Sequence, residues 1–146
     1  MSVVTKALIL TALTLLGWLS VVRYQERSAE GPCRVTYVYD GDTVALTCGA
    51  DMEMTARIVG LDAPETKEPR CPEELAHGTL ATERLRALVA GGEVAYYPRG
   101  EDRYDRLLIR LYVDGQDVAK RLVREGLAVT YRGGARPDWC ARLGAA

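Results

Sequence analysis

The chain has 146 residues, 48% of them apolar and 27% charged. These values exclude wholesale disorder and leave room for one domain plus a short extra segment. Three basic residues (Lys6, Arg23, Arg27) and two acidic ones (Glu26, Glu30) fall in the first thirty positions, leaving 16 basic against 18 acidic beyond them. A domain with that balance does not hold nucleic acid by a generally basic surface; any phosphate affinity must come from local arginines or a bound cation.

The first element is an apolar run, Ala7 to Val22, broken only by Thr11, Thr14 and Ser20. It is long for a signal-peptide core and barely adequate for a spanning helix. Small residues at the −3 and −1 positions of a cleavage site are missing, since cutting after Ala29 would put Arg27 at −3. The expectation is an uncleaved signal anchor over residues 7–22, with a cleaved signal as the alternative. Residues 1–30 then form the anchor and tether, and residues 31–146 the folded domain. Four cysteines, at 33, 48, 71 and 140, all follow the run, and none forms a C-x-x-C pair. This pattern favours two disulfides in an oxidising, extracytoplasmic compartment, periplasmic or secreted, over a structural zinc site. Four buried free thiols are the alternative.

Within the domain, the β-branched and aromatic runs at 34–39 and 43–48 flank Asp40-Gly41-Asp42, a hairpin signal. Residues 53–60 alternate enough for a third strand, entering the loop Leu61-Asp62-Ala63-Pro64-Glu65. Pro72 opens a helix with Leu75, Leu80, Leu85, Leu88 and Val89 near one face, ended by Gly91-Gly92. Strands follow at 93–98 and 107–113. Asp117 can cap a second helix through Val118, Leu122 and Val123, which Gly126 ends. Three strands, a helix, two strands and a helix is the order of an OB-like five-stranded barrel with helices, an α+β fold. On the paired strands Cys33 and Cys48 stand nearly opposite, so a Cys33–Cys48 bridge is expected, leaving Cys71–Cys140 to hold the chain's end.

The polar residues of these loops make chemical sense together. Asp42 and Asp62 can share a hard cation with a backbone carbonyl such as that of Ala63. Glu65 can position or deprotonate an attacking water. Arg57 and Arg106 can grip a phosphate and stabilise the charge that develops on it. Taken singly, each has a bland reading: a solvated turn, a polar loop, a surface arginine with an apolar stem.

Their joint order closely resembles the staphylococcal-nuclease-like (thermonuclease) family. Val38-Tyr39-Asp40-Gly41-Asp42-Thr43 and Thr55-Ala56-Arg57-Ile58-Val59-Gly60-Leu61-Asp62-Ala63-Pro64-Glu65-Thr66-Lys67 are similar to its two leading motifs. Asp102-Arg103-Tyr104-Asp105-Arg106 is similar to its third, and Leu122-Val123-Arg124-Glu125-Gly126-Leu127-Ala128 to its fourth. The resemblance spans about residues 33–132. It implies calcium (Ca2+) held by Asp42, Asp62 and the Ala63 carbonyl, with Arg57, Glu65 and Arg106 catalytic and Asp40 behind the metal ligands. Tyr104 and, after a one-residue deletion, Tyr131 would contact the nucleotide. The implied activity is endonucleolytic cleavage of DNA and RNA leaving 3′-phosphates, with no obligate protein partner evident. The alternative is a non-catalytic OB-type module of the cell envelope that binds nucleic acid or protein. Three departures stand out: Asp105 where the family often has Gly, Ala63 where Thr is frequent, and an end at Ala146 that omits most of the family's long terminal helix.

Overall fold

The computed structural model describes residues 33–49 and 52–145. The apolar run at 7–22, and with it the anchor and the 1–30 segment, lies outside the described residues. Among the described residues there are eight strands: β1 (Arg34–Val38), β2 (Thr43–Cys48), β3 (Met52–Ile58), β4 (Gly60–Asp62), β5 (Val94–Glu101), β6 (Leu107–Val113), β7 (Gln116–Asp117) and β8 (Val129–Tyr131). Three helices accompany them: α1 (Pro72–Gly91), α2 (Val118–Arg124) and α3 (Trp139–Arg142).

The main sheet runs β1-β2-β3-β6-β5, with β7 added on β6, while β4 and β8 form a separate two-stranded sheet. All pairings are antiparallel except β3 with β6. The path is open, with β1 and β5 at its edges. They nonetheless approach each other where the Tyr96 hydroxyl of β5 meets Sγ of Cys33 at 2.9 Å. Val44, Leu46, Ala56, Ile58, Ile109 and Leu111 of the sheet pack against Ala81, Leu85, Leu88 and Leu122 of the helices in one core. This is the α+β architecture expected from element order, with three short strands that composition alone did not mark.

One of those strands matters for the site. The third strand, expected to run unbroken over residues 53–60, stops at Ile58. Gly60 takes φ +96°, a conformation that side chains with a Cβ avoid, and the chain turns out of the main sheet there. The Ile58 N–H still donates to the Asp42 carbonyl at 2.8 Å, and the Val59 N–H to that of Ile109 at 2.8 Å. Beyond the bend, β4 pairs with β8 and carries Asp62 away from the sheet.

Helix α1 also differs from its expected face. Leu75 and Leu80 are exposed, and the buried line is Glu74, Gly78, Ala81, Thr82, Leu85 and Leu88. Those positions recur every three or four residues, so the helical period is right but the stripe is rotated. Small residues decide the rotation, because they admit backbone where leucine would not fit. A Cβ on Gly78 would stand 2.7 Å from the Pro64 carbonyl oxygen. One on Gly41 would stand 2.6 Å from Cβ of Ala63 and 2.8 Å from that of Ala81. The helix therefore lies directly against the Asp40–Asp42 turn and the Asp62–Glu65 loop, and brings them together.

Both expected disulfides are present, Cys33–Cys48 and Cys71–Cys140. The second ties α3 to the start of α1.

Candidate active site

The turn between β1 and β2 is shaped by its own side chains. Asp40 Oδ1 accepts from the Asp42 N–H at 3.0 Å, which folds the loop back and turns Asp42 inward. Asp42 is 3% exposed and Asp62 is fully buried. A single atom, Nη2 of Arg57, donates to Asp42 Oδ2 at 2.9 Å and to Asp62 Oδ1 at 3.3 Å. Two carboxylates that converge on one nitrogen are also close enough to bind one metal ion. The other Asp42 oxygen, Oδ1, accepts from the Thr43 hydroxyl at 2.9 Å, and the Ala63 N–H also reaches Oδ2 at 3.4 Å. Burial, and then the neighbouring Asp40, push the Asp42 carboxyl well above the usual carboxylate range, with Arg57 pulling the other way. Hard oxygen donors short of positive charge fit a divalent cation such as calcium.

Glu65 follows on the same loop, partly exposed at the cleft. Its N–H donates to Oε1 of Glu74 at 3.3 Å, while Oε2 of Glu74 takes the Arg70 N–H at 2.7 Å. Glu74 is 2% exposed. This buried carboxylate on α1 therefore fixes both ends of the Glu65–Arg70 loop, a role the sequence did not reveal.

Arg106 arrives from the β5–β6 connection. Asp102 accepts from its backbone N–H at 3.1 Å and its Nε at 2.8 Å, and from the Tyr104 N–H at 2.9 Å. Asp105 sits between them at φ +58°, so it adopts the left-handed conformation that glycine would take. The turn that leads into Arg106 is held by the Asp102 carboxylate. The Tyr104 ring is exposed, with the Arg106 guanidinium 5.6 Å from its centre.

These parts surround a cleft of about 340 Å³ lined by Asp40, Asp42, Thr43, Arg57, Glu65, Tyr104 and Arg106, with Arg136 closing it. Of the residues singled out from sequence, Asp62, Ala63 and Tyr131 are not in this lining; Asp62 is buried behind it and joined to it through Arg57 and Arg136, whereas Tyr131 stands apart. Its hydroxyl donates to the Gly134 carbonyl at 2.6 Å and its backbone pairs with Gly60. The Ala63 side chain is buried beneath the cleft. His77 is a helix residue that reaches the Gly126 carbonyl at 2.8 Å, away from the cleft.

Two participants were not legible beforehand. Arg136 Nε donates to Asp62 Oδ1 at 2.7 Å, and its Nη1 bonds Glu65 Oε1. Trp139, 4% exposed, donates its indole N–H to Asp62 Oδ2 at 2.9 Å. The only sequence signal near them was Cys140, whose bridge to Cys71 pins this end of the chain beside the site.

Buried paired carboxylates, a more exposed glutamate and several guanidiniums around one cleft can bind a cation and a phosphate together. The family model described as Staphylococcal nuclease homologue matches residues 55–140, more than half of the chain. The chain belongs to that family. It is 39% identical over 93 residues to the SPbeta prophage-derived endonuclease YokF of Bacillus subtilis, covering 61% of this chain and 30% of that protein. It is 38% identical to endonuclease YncB of the same organism, covering 61% of this chain and 43% of that one. An uncharacterized endonuclease of Haemophilus influenzae is 27% identical over 129 residues, covering 88% of this chain and 67% of that protein. The chain thus spans less than half the length of the two Bacillus relatives.

Proposed function

We propose that this protein is a calcium-dependent endonuclease that hydrolyses phosphodiester bonds of DNA and RNA and leaves 3′-phosphates. One observation carries the reading: Asp42 and Asp62 meet at a single Arg57 nitrogen, with Glu65 and Arg106 on the same cleft. A binding module needs the arginines but not two buried carboxylates, which repel phosphate unless a cation joins them. Relatives bearing the name endonuclease support the same reading.

Asp42 and Asp62 would hold the calcium, with the Ala63 carbonyl as a third ligand. Bound there, it would act as a Lewis acid toward a phosphate oxygen and neutralise charge. The chain's own residues do the rest. Glu65, on a loop fixed by Glu74, accepts a proton from the attacking water. Arg57 and Arg106 present planar donors to the phosphate oxygens, where negative charge grows as the five-coordinate phosphorus forms. The exposed Tyr104 ring offers a face for the adjoining sugar or base. As the water oxygen bonds phosphorus the P–O5′ bond breaks, the 5′ oxygen takes a proton from solvent, and the phosphate stays on the 3′ side. The protein acts outside the cytoplasm, held at the membrane by residues 7–22, in keeping with its two disulfides.

The test is direct. The purified chain is incubated with denatured DNA or RNA, with calcium or with a chelator, and the product ends are typed by phosphatase sensitivity. Calcium-dependent fragments with 3′-phosphates are expected. Cleavage indifferent to the chelator, or binding without cleavage, refutes the proposal.

A further inference from the structure

Arg136 stands where neither the cation nor the base would tolerate a permanent occupant. Its Nε holds Asp62 Oδ1 at 2.7 Å, and a second nitrogen holds Glu65. Both Asp62 oxygens already accept hydrogen bonds, Oδ2 from Trp139 and Oδ1 from Arg57 as well as Arg136. A cation bridging Asp42 and Asp62 must therefore displace a guanidinium. Arg57 is the poorer candidate: its side chain is 15% exposed and bound to both carboxylates. Arg136, 41% exposed, lies on the outer side of the cleft. The contact on Glu65 also occupies an oxygen that would face the attacking water, so it opposes the role assigned to that residue.

The main chain that bears Arg136 cannot follow its side chain out. Three residues on, Trp139 is buried and bonded to Asp62, and Cys140 is crosslinked to Cys71. Upstream, the Tyr131 hydroxyl closes the loop on the Gly134 carbonyl. A guanidinium released from the carboxylates thus stays at the cleft mouth, tethered beside Arg57 and Arg106. The anion that then offers itself is the substrate phosphate.

We propose that Arg136 is a third phosphate-contacting arginine, stored on Asp62 and Glu65 and handed to the substrate phosphate when a cation takes the acidic pair. The assignment rests on the phosphodiesterase reading above and adds a substrate contact from outside the motifs that carry the family resemblance. It makes two independent claims. Arg136 competes with the cation, and it binds substrate.

The experiment compares the full chain with Arg136→Ala and Arg136→Lys. Calcium affinity is measured by calorimetry without substrate, and KM and kcat on single-stranded DNA at saturating calcium. Arg136→Ala should bind calcium about tenfold more tightly and show a KM about tenfold higher, as expected for one partly exposed charge-assisted contact. Arg136→Lys should restore much of the calcium competition but little of the KM, since an ammonium lacks the planar fork. Parental values of either constant in Arg136→Ala overturn the assignment. So does a variant that only melts earlier, which would make Arg136 a structural tie. A parent chain that neither binds calcium nor cuts DNA overturns the phosphodiesterase reading, and the assignment with it. If the alanine variant fails to fold, a parental KM in Arg136→Lys is sufficient to overturn it.

Discussion

Replacing Arg57 by lysine separates charge from geometry at the centre of the site. One Arg57 nitrogen, Nη2, already spans Asp42 and Asp62 at 2.9 and 3.3 Å. This leaves Nε and Nη1, on separate edges of the planar guanidinium, to donate to phosphate oxygens. Lysine keeps the positive charge and can satisfy one or both carboxylates, so the buried acids are not left unpaired. It cannot also offer two coplanar donors to the substrate. Loss of one preorganised transition-state contact lowers turnover by about 10² to 10³, or roughly 3–4 kcal/mol. The fold should feel far less, because the side chain lies at the cleft wall rather than in the core, and its charge is retained. Calcium-dependent cleavage of denatured DNA and a thermal midpoint, each measured beside the parent, give both quantities. Turnover within a few fold of the parent would refute the role of two fixed donors. An equally large fall in midpoint would show that Arg57 acts through the fold instead.

Further expectations concern the neighbouring groups. Glu65→Gln should lower turnover by a comparable factor with little change in calcium affinity, since an amide is a far weaker base than a carboxylate; a variant with parental turnover removes Glu65 from the mechanism. Asp105→Gly should raise stability by up to about 1 kcal/mol in a denaturant titration, because Asp105 sits at φ +58°; a clear loss would show that its side chain contributes more than its backbone costs. Glu125 is held down to about 2, first by the Arg84 hydrogen bonds and then by Arg121, against an ordinary value of 4.5. A depressed carboxyl stabilises above its unfolded value and loses that contribution as the pH falls from about 4.5 to about 2. Glu125→Gln should therefore melt earlier than the parent near neutrality, by no more than about 1 kcal/mol for a half-exposed pair, and the two should converge near pH 2; a gap that is constant with pH would contradict this. Serine at both Cys71 and Cys140 should cost roughly 4 kcal/mol in the chain-entropy view, the bridged residues being 69 apart. A loss below 1 kcal/mol, read from denaturant unfolding, would show that the end is held by Trp139 and Asp138 without the crosslink.

What the sequence disclosed, and what it did not, follows from the range of the interactions. Asp40, Asp42, Asp62 and Glu65 were legible because turn chemistry and motif spacing are local: Asp40 folds its own loop over two residues, and Gly60 bends its own strand. The rotation of α1 was not, because Leu75 and Leu80 carry the stronger apolar signal. What turned the helix was the room left by Gly78 and Ala81 for backbone from other parts of the chain. Arg136 and Trp139 were hidden for a related reason. Each meets Asp62 across more than seventy residues, and neither belongs to a periodic pattern. The segment beyond β8 is held by a covalent bridge and by a tryptophan bonded to a site carboxylate. Any change that loosens this segment must then reach Asp62 through the indole and Arg136 hydrogen bonds. If Asp62 holds calcium as proposed, stability and cation binding meet at these contacts, and Trp139→Phe should alter calcium affinity by calorimetry; a parental affinity would refute the coupling.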